Sequence, residues 1–218
     1  MLRAWQEKQA DLEEIRVEYF GVGPEMAAAR IDRLLKEKKP RLLICAGFAG
    51  GLDPRLGVGD LVVGENLSSK EVLATARAPG SVLPGAAFGA IVSRPLAVET
   101  VADKRTLFAK TGALAVDMES EAIAAACRAE GVPLLVVRTI SDPAGDDLPV
   151  PFADWFDIEG QRPRVLGLLK YLTLHPSRIA PFARFVRGLA PARQALARFL
   201  FGFLQGVISN ESDLDNPL

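Results

Sequence analysis

One stretch constrains the architecture more than any other. In Gly112–Pro149 a short apolar strand (Ala113–Val116), an Ala-rich helix (Ser120–Glu130) and a second apolar run (Leu134–Val137) follow one another almost without a linker. Gly131-Val132-Pro133 stops the helix, because Gly takes the left-handed cap conformation and Pro cannot continue the hydrogen-bond ladder. A strand–helix–strand unit of this length predicts two parallel, neighbouring strands. The acidic cluster Asp117-Met118-Glu119 follows the first strand, and Arg138-Thr139-Ile140-Ser141-Asp142 follows the second before Pro143. Each strand thus ends in a carboxylate, at the edge where open α/β sheets bind ligands. Glu119 and Asp142 are expected to face one pocket, although a helix-entry acid and an Asp-Pro turn are each ordinary structural devices.

The flanking chain reads as more of the same architecture. Arg16–Phe20 alternates like a strand and runs into Gly21-Val22-Gly23-Pro24, and Met26–Lys38 has helical spacing that stops before Pro40. A Gly-x-Gly turn before a helix can cradle phosphate on backbone N–H groups, though a plain strand–helix turn is the simpler reading. Leu42–Ala46 and Leu61–Val63 are further strands; Gly47–Gly51 reads as a loop that lets backbone approach a ligand. Ser68–Ser93, rich in Ala, Gly and Pro, reads as irregular around Ala87–Val92, and Asp146, Asp147, Pro149, Pro151, Phe152 and Trp155 as a lid or rim. Met1–Ile15 is polar, either helical or loosely attached. Beyond Arg164 three helices are expected, Val165–Leu174, Pro181–Leu189 and Ala192–Leu204, broken at His175-Pro176 and Ala190-Pro191, before a disordered acidic tail, Glu211–Leu218.

Composition narrows the function classes. With 218 residues and 49% apolar content the chain suits one α/β domain with a substantial core. The net charge of −1 hides an asymmetry: residues 161–210 hold eight Arg or Lys and no acid, leaving 18 basic against 27 acidic residues elsewhere. Cys45 and Cys127, one in a strand and one in a helix, read as buried free thiols of a reducing compartment. The single His, His175, lies outside every motif, which argues against His-centred catalysis. The charged N-terminus does not resemble a signal peptide, and no apolar run reaches the ~18 residues of a spanning helix, so a cytoplasmic protein is expected. Zinc, Walker and dinucleotide motifs are missing from the sequence; no metal and no nucleic-acid partner is expected.

Ala115–Ala122 (AVDMESEA) with Val137–Asp142 (VRTISD) downstream, and Ala46–Leu52 (AGFAGGL) with Val58–Val63 (VGDLVV) upstream, resemble the nucleoside phosphorylase/nucleosidase superfamily. That group includes purine and uridine phosphorylases and methylthioadenosine/S-adenosylhomocysteine nucleosidase. The resemblance implies a three-layer α/β/α domain with a mixed, mainly parallel sheet over residues 1–160 and a homo-oligomer; charge and helical spacing add a basic helical extension over 161–210 and an acidic tail over 211–218. It implies cleavage of a purine N-glycosidic bond. Asp142 would be the acid or hydrogen-bond donor at the leaving base, with Ser141 orienting it. Glu119 would grip the ribose hydroxyls, with Met118 packed under the ribose. Gly47, Ala49, Gly50, Val116 and Asp117 would line the ribose and nucleophile pocket. Arg138 would hold Glu119 or the nucleophile, or else pair with a neighbouring acid. The loop that stacks on the base would fall within Val98–Leu107.

No cofactor is implied, phosphate being the one candidate co-substrate. Members that use phosphate place an Arg and a Ser or Thr around the Gly-rich loop; Phe48-Ala49 stands there here, with Arg55 as the nearest Arg, which tilts the expectation toward water. Members also carry an N-terminal strand and a nucleophile-handling Glu or Arg ahead of the segment matched by Arg16–Gly23. This chain has Met1–Ile15 there, with Glu13, Glu14 and Glu18 as local carboxylates. LDPRLG, VDMES and SDPAGDDLP followed by a Pro/Arg-rich helical tail is similar to the hopanoid-associated branch, whose members remove adenine from adenosylhopane. That implies a lipid-borne adenine nucleoside, with segment 161–210 meeting the inner membrane surface peripherally, or else packing on the core or in an oligomer. The rivals are a methylthioadenosine/S-adenosylhomocysteine-type nucleosidase and a catalytically weak nucleoside-binding or scaffold protein.

Overall fold

The computed structural model describes residues 15–77 and 85–214, with side-chain detail as far as Phe203. The alternation of strand β6 (Leu134–Asp142) sets the layers. Leu134, Val136 and Ile140 face one side of the sheet, Leu135 and Val137 the other, and all five are buried. On the first side they meet Ala27, Ile31 and Leu35 of helix α1 (Pro24–Glu37) and Ile123, Ala124 and Cys127 of α4 (Ser120–Glu130). On the second they meet Leu73 and Ala76 of α2 (Lys70–Arg77) and Phe199 and Phe203 of α7 (Ile179–Leu214). Both faces of a central strand are covered, hence its nearly unbroken apolar run. The result is the expected three-layer α/β/α arrangement.

The other strands are β1 (Leu43–Gly51), β2 (Leu61–Gly64), β3 (Ala87–Gly89), β4 (Ile91–Ser93) and β5 (Ala115–Asp117), in spatial order β3-β2-β6-β1-β5-β4. Pairs β1/β6, β2/β3 and β4/β5 are parallel; β1/β5 and β2/β6 are antiparallel. The expectation that Ala113–Val116 and Leu134–Val137 are parallel neighbours is therefore overturned. The long β1 lies between them, matched to β6 from Leu43↔Leu134 to Gly50↔Asp142, a pairing that the three-residue β5 is too short to offer.

Other local readings also change. Gly47–Gly51 continues β1 instead of looping out. Ser68–Ser93 contains α2, β3 and β4, each short strand being recruited by a neighbour that the local sequence does not reveal. Arg16–Phe20 forms no strand; Val17 and Tyr19 are exposed. Most of Val98–Leu107 is helix α3 (Val101–Thr111), capped by the Thr100 hydroxyl on Asp103 N. α7 runs through Pro191 without the expected break. Its flanks are held: Ala192 is fully buried against the Gly59 turn, and Phe199 and Phe203 are buried under the sheet. The expected tail falls partly in α7, which reaches Leu214; residues 215–218 and the segment before Ile15 lie outside the described residues. α5 (Phe152–Trp155), a hairpin of β7 (Phe156–Asp157) with β8 (Arg162–Pro163), and α6 (Val165–Leu174) complete the fold. Cys45 and Cys127 are free and buried, as read from the sequence. Among the described residues, no helix is long and apolar enough to cross a membrane.

A buried ion pair ties the sheet across β1. Arg138 Nε donates to Asp117 Oδ2 at 2.6 Å, with both side chains almost wholly buried. Gly47, opposite Arg138 in the register, makes room: a Cβ there would stand 2.8 Å from Arg138 Nη1. Burial alone would raise Asp117, but the Arg138 charge and the Ser120 and Ser93 hydroxyls hold it below the usual carboxylate range. Such a carboxylate contributes stability above that range and loses it as the pH falls through its lowered folded-state value. Arg138→Met should cost about 3–5 kcal/mol in urea unfolding at neutral pH, because it strands a buried anion. The gap between wild type and variant should narrow in acid, and adding Asp117→Asn should restore part of the loss; a cost below that range with no acid dependence would show the pair to be dispensable.

Candidate functional site

The site is assembled around Gly50. Gly50 pairs with Val116 of β5 on one side and with Asp142 of β6 on the other. A Cβ at this position would lie 3.1 Å from Asp142 Oδ2 and 3.4 Å from Val116 Cγ1, so the two strand ends approach over a bare backbone. The β1/β6 register slips between Ala49 and Gly50, a bulge of the kind that re-aims a side chain at a sheet end. Here it brings Asp142 opposite Gly50.

Asp142 is 8% exposed and held at both oxygens. Ser141 Oγ donates to Oδ1 at 2.6 Å and stands 3.2 Å from the Ala49 carbonyl; Lys104 Nζ donates to Oδ2 at 2.6 Å. Lys104 is a residue that the sequence reading passed over. A lysine in mid-helix ordinarily faces water, yet Lys104 is fully buried. The available signal was its spacing, three residues from both Val101 and Leu107 on the apolar stripe of α3.

Glu119 stands at the N-cap position of α4 and accepts a hydrogen bond from Gly23 N at 2.8 Å. Burial raises it above the ordinary carboxylate range, against the Gly23 N–H and the Arg138 charge, which pull the other way. Gly23 has φ +96° and caps α1, so the Gly-x-Gly turn that could cradle an anion already holds one, the Glu119 carboxylate. The neighbouring Val22 N–H goes to Gln161 Oε1 at 2.8 Å, and Gln161 Nε2 returns a bond to Val22 O.

The remaining candidates divide. Met118 and Val116 are buried beside the two acids. Asp117 accepts five hydrogen bonds, from the hydroxyls of Ser93 and Ser120, the N–H groups of Glu119 and Ser120, and Arg138. Its lone pairs are spent within the protein. Arg138 pairs with Asp117 rather than Glu119, and also reaches Cys45 Sγ at 3.4 Å; its buried guanidinium is held firmly charged by these partners. Gly47 admits that guanidinium, and Ala49 is buried within β1. Arg55 is forked onto the buried Asp53, with contacts of 2.6–3.1 Å.

Two cavities flank the start of α3. One of about 340 Å³ is lined by Leu96, Ala97, Glu99, Thr100, Asp103 and Phe152 among others, and one of about 410 Å³ by Arg94, Leu96, Val98, Asp103 and Leu107 among others. Neither is lined by Glu119 or Asp142. The base-stacking segment expected within Val98–Leu107 thus meets open space along its length, from Val98 and Glu99 to Thr106 and Leu107. Phe108 packs on the core cluster of Leu52, Leu107, Ala113 and Val116. Phe152 and Trp155, read as a rim, form an edge-to-face pair at 4.8 Å.

Comparison with known proteins gives one consistent signal. The model of the phosphorylase superfamily matches residues 10–93 and 70–166. A 5'-methylthioadenosine/S-adenosylhomocysteine nucleosidase of Staphylococcus haemolyticus is 29% identical over 176 residues, 65% of this chain and 74% of that protein. One from Shewanella halifaxensis is 27% identical over 189 residues, 73% of this chain and 82% of that protein. Among solved structures, the nucleosidase of S. pneumoniae with a transition-state inhibitor superposes with a TM-score of 0.59 at 20% identity, covering 86% of this chain and 79% of that one. That of Streptococcus pyogenes superposes with 0.52 at 22% identity, covering 83% and 76%. With the family model spanning most of the chain and the sheet and its Gly-rich central strand in place, the chain belongs to the phosphorylase superfamily of enzymes.

Proposed function

We propose that this protein cleaves the N-glycosidic bond of a purine nucleoside and releases adenine. The observation that carries this reading is the Gly-rich end of β1, where Gly50 lies opposite Asp142 of β6 on one side and, on the other, Val116 of β5, the strand that leads into Met118-Glu119. Cleavage asks for a hydrogen-bonding acid at the leaving base and for a group that holds the ribose as it gains positive charge. Asp142, partly desolvated and bonded to Ser141, takes the first role; Glu119, held by the Gly23 N–H, takes the second, over Met118. Relatives called 5'-methylthioadenosine/S-adenosylhomocysteine nucleosidase support an adenine nucleoside. Water is the acceptor in this reading, because Arg55 is committed to Asp53 and the Gly23 amide to Glu119.

For the rest of the substrate we propose a lipid-attached adenosine of the adenosylhopane kind. Its support is the C-terminal surface. α6 has no buried residue, and Val165, Leu166 (82% exposed), Leu169 and Leu174 lie open beside Arg162, Arg164, Lys170 and Arg178. Arg162 and Arg164 each lie 3.5 Å from Asp157, while Lys170 and Arg178 continue the cationic border; an apolar helix edged in this way suits the interface of an anionic bilayer. The second half of α7 is different: Phe199 and Phe203 are core, so the membrane-facing part is α6 and the start of α7.

Asp142→Asn should lower adenine release by about 10²–10⁴-fold and leave nucleoside binding measurable. Glu119→Gln should weaken ribosides but not free adenine, and equal weakening of both would make Glu119 a helix cap only. Release in phosphate-free buffer should yield free sugar; a strict phosphate requirement with a sugar 1-phosphate product would overturn the water reading. Anionic vesicles should sediment the protein at low salt and lose it as salt rises. Indifference to such vesicles, together with a dimer in sedimentation, would assign α6 to a second copy of the chain.

A further inference from the structure

We propose that Lys104 is a positioning residue for Asp142, fixing the carboxylate that meets the leaving base; the inference rests on the purine-nucleoside reading above. Folds rarely bury an ammonium, because the hydration it loses must be replaced by charge and hydrogen bonds. Lys104 is fully buried, and each of its three N–H groups is used. They go to Asp142 Oδ2 at 2.6 Å, Asp146 O at 2.8 Å and Pro143 O at 3.0 Å. Both carbonyls belong to the turn that follows Asp142, so one side chain pins the carboxylate and the backbone that carries it.

That turn is strapped to the start of α3 as well. Leu148 N donates to Glu99 O, and Val101 N donates to Asp147 Oδ1, each at 2.7 Å. With Ser141 on Oδ1 and Lys104 on Oδ2, the plane of the carboxylate is set from both ends, and with it the direction from which a base can share a proton. In the reaction Asp142 takes up a proton from solvent and passes it to the base nitrogen as the C–N bond breaks; the carboxylate left behind is then met by the Lys104 ammonium, where without Lys104 it would be an isolated buried anion.

Lys104→Met keeps the stem and removes the charge. Its test compares an adenine nucleoside that the wild type cleaves with 4-nitrophenyl riboside, whose leaving group departs without protonation. Turnover of the adenine nucleoside should fall about 10²-fold, the scale of acid catalysis. KM should stay within about threefold, and so should turnover of the nitrophenyl riboside. Equal losses on both substrates would make Lys104 a structural lysine and overturn the proposal. Should the single variant fail to fold, Lys104→Met/Asp142→Asn removes both charges together. That double variant should be no slower than Asp142→Asn alone, and a further loss would overturn the proposal. Adenine binding by calorimetry separates the two readings. Wild type that neither binds adenine nor releases base removes the purine reading and the inference with it; wild type that does both, with Lys104→Met unchanged, removes the inference alone.

Discussion

The Asp117–Arg138 ion pair is the interaction on which the rest of the site depends. Both groups are buried, and neither would be tolerated alone. Their contact spans β1, which is possible because Gly47 has no side chain in the way. Asp117 also gathers the first N–H groups of α4 and the hydroxyls of Ser93 and Ser120, so β4, β5, β6 and the start of α4 are locked to one carboxylate. Glu119 and Asp142, on the outer ends of this frame, inherit their positions from it. A carboxylate saturated in this way is poorly suited to chemistry. In the proposed reading the frame and the reactive groups are different residues: Glu119 stands two positions from Asp117, and Asp142 four from Arg138.

Glu119 serves both sides of that division. It receives the Gly23 N–H at the start of α1, and through Gln161 the same turn is fastened to the chain leading into α6. The Glu119 contact thereby joins α1 and α4 to the segment that precedes the C-terminal helices. Those helices are divided as well. The sheet needs a cover on its second face and takes Phe199 and Phe203 of α7, while α6 rests Gly167 on the α5 backbone and carries Val165, Leu166, Leu169 and Leu174 outward.

The sequence by itself determined the elements whose cause is local. The Gly131 stop of α4, the apolar run of β6 and the free thiols were legible because caps, runs and isolated cysteines carry their own physics. The acids Glu119 and Asp142 were legible because they close strands within a recognisable string. What only the tertiary structure decided was pairing. The insertion of β1 between β5 and β6, the recruitment of Ala87–Gly89 and Ile91–Ser93 into the sheet, and the division of labour between Asp117 and Glu119 all depend on partners distant in the chain. Pro191 inside α7 and Lys104 inside the core belong to the same class. Local propensity places a break at the one and water around the other. In the fold, burial of Ala192 and Phe199 carries the helix past the proline, and an aspartate with two backbone carbonyls replaces the water that the lysine gave up.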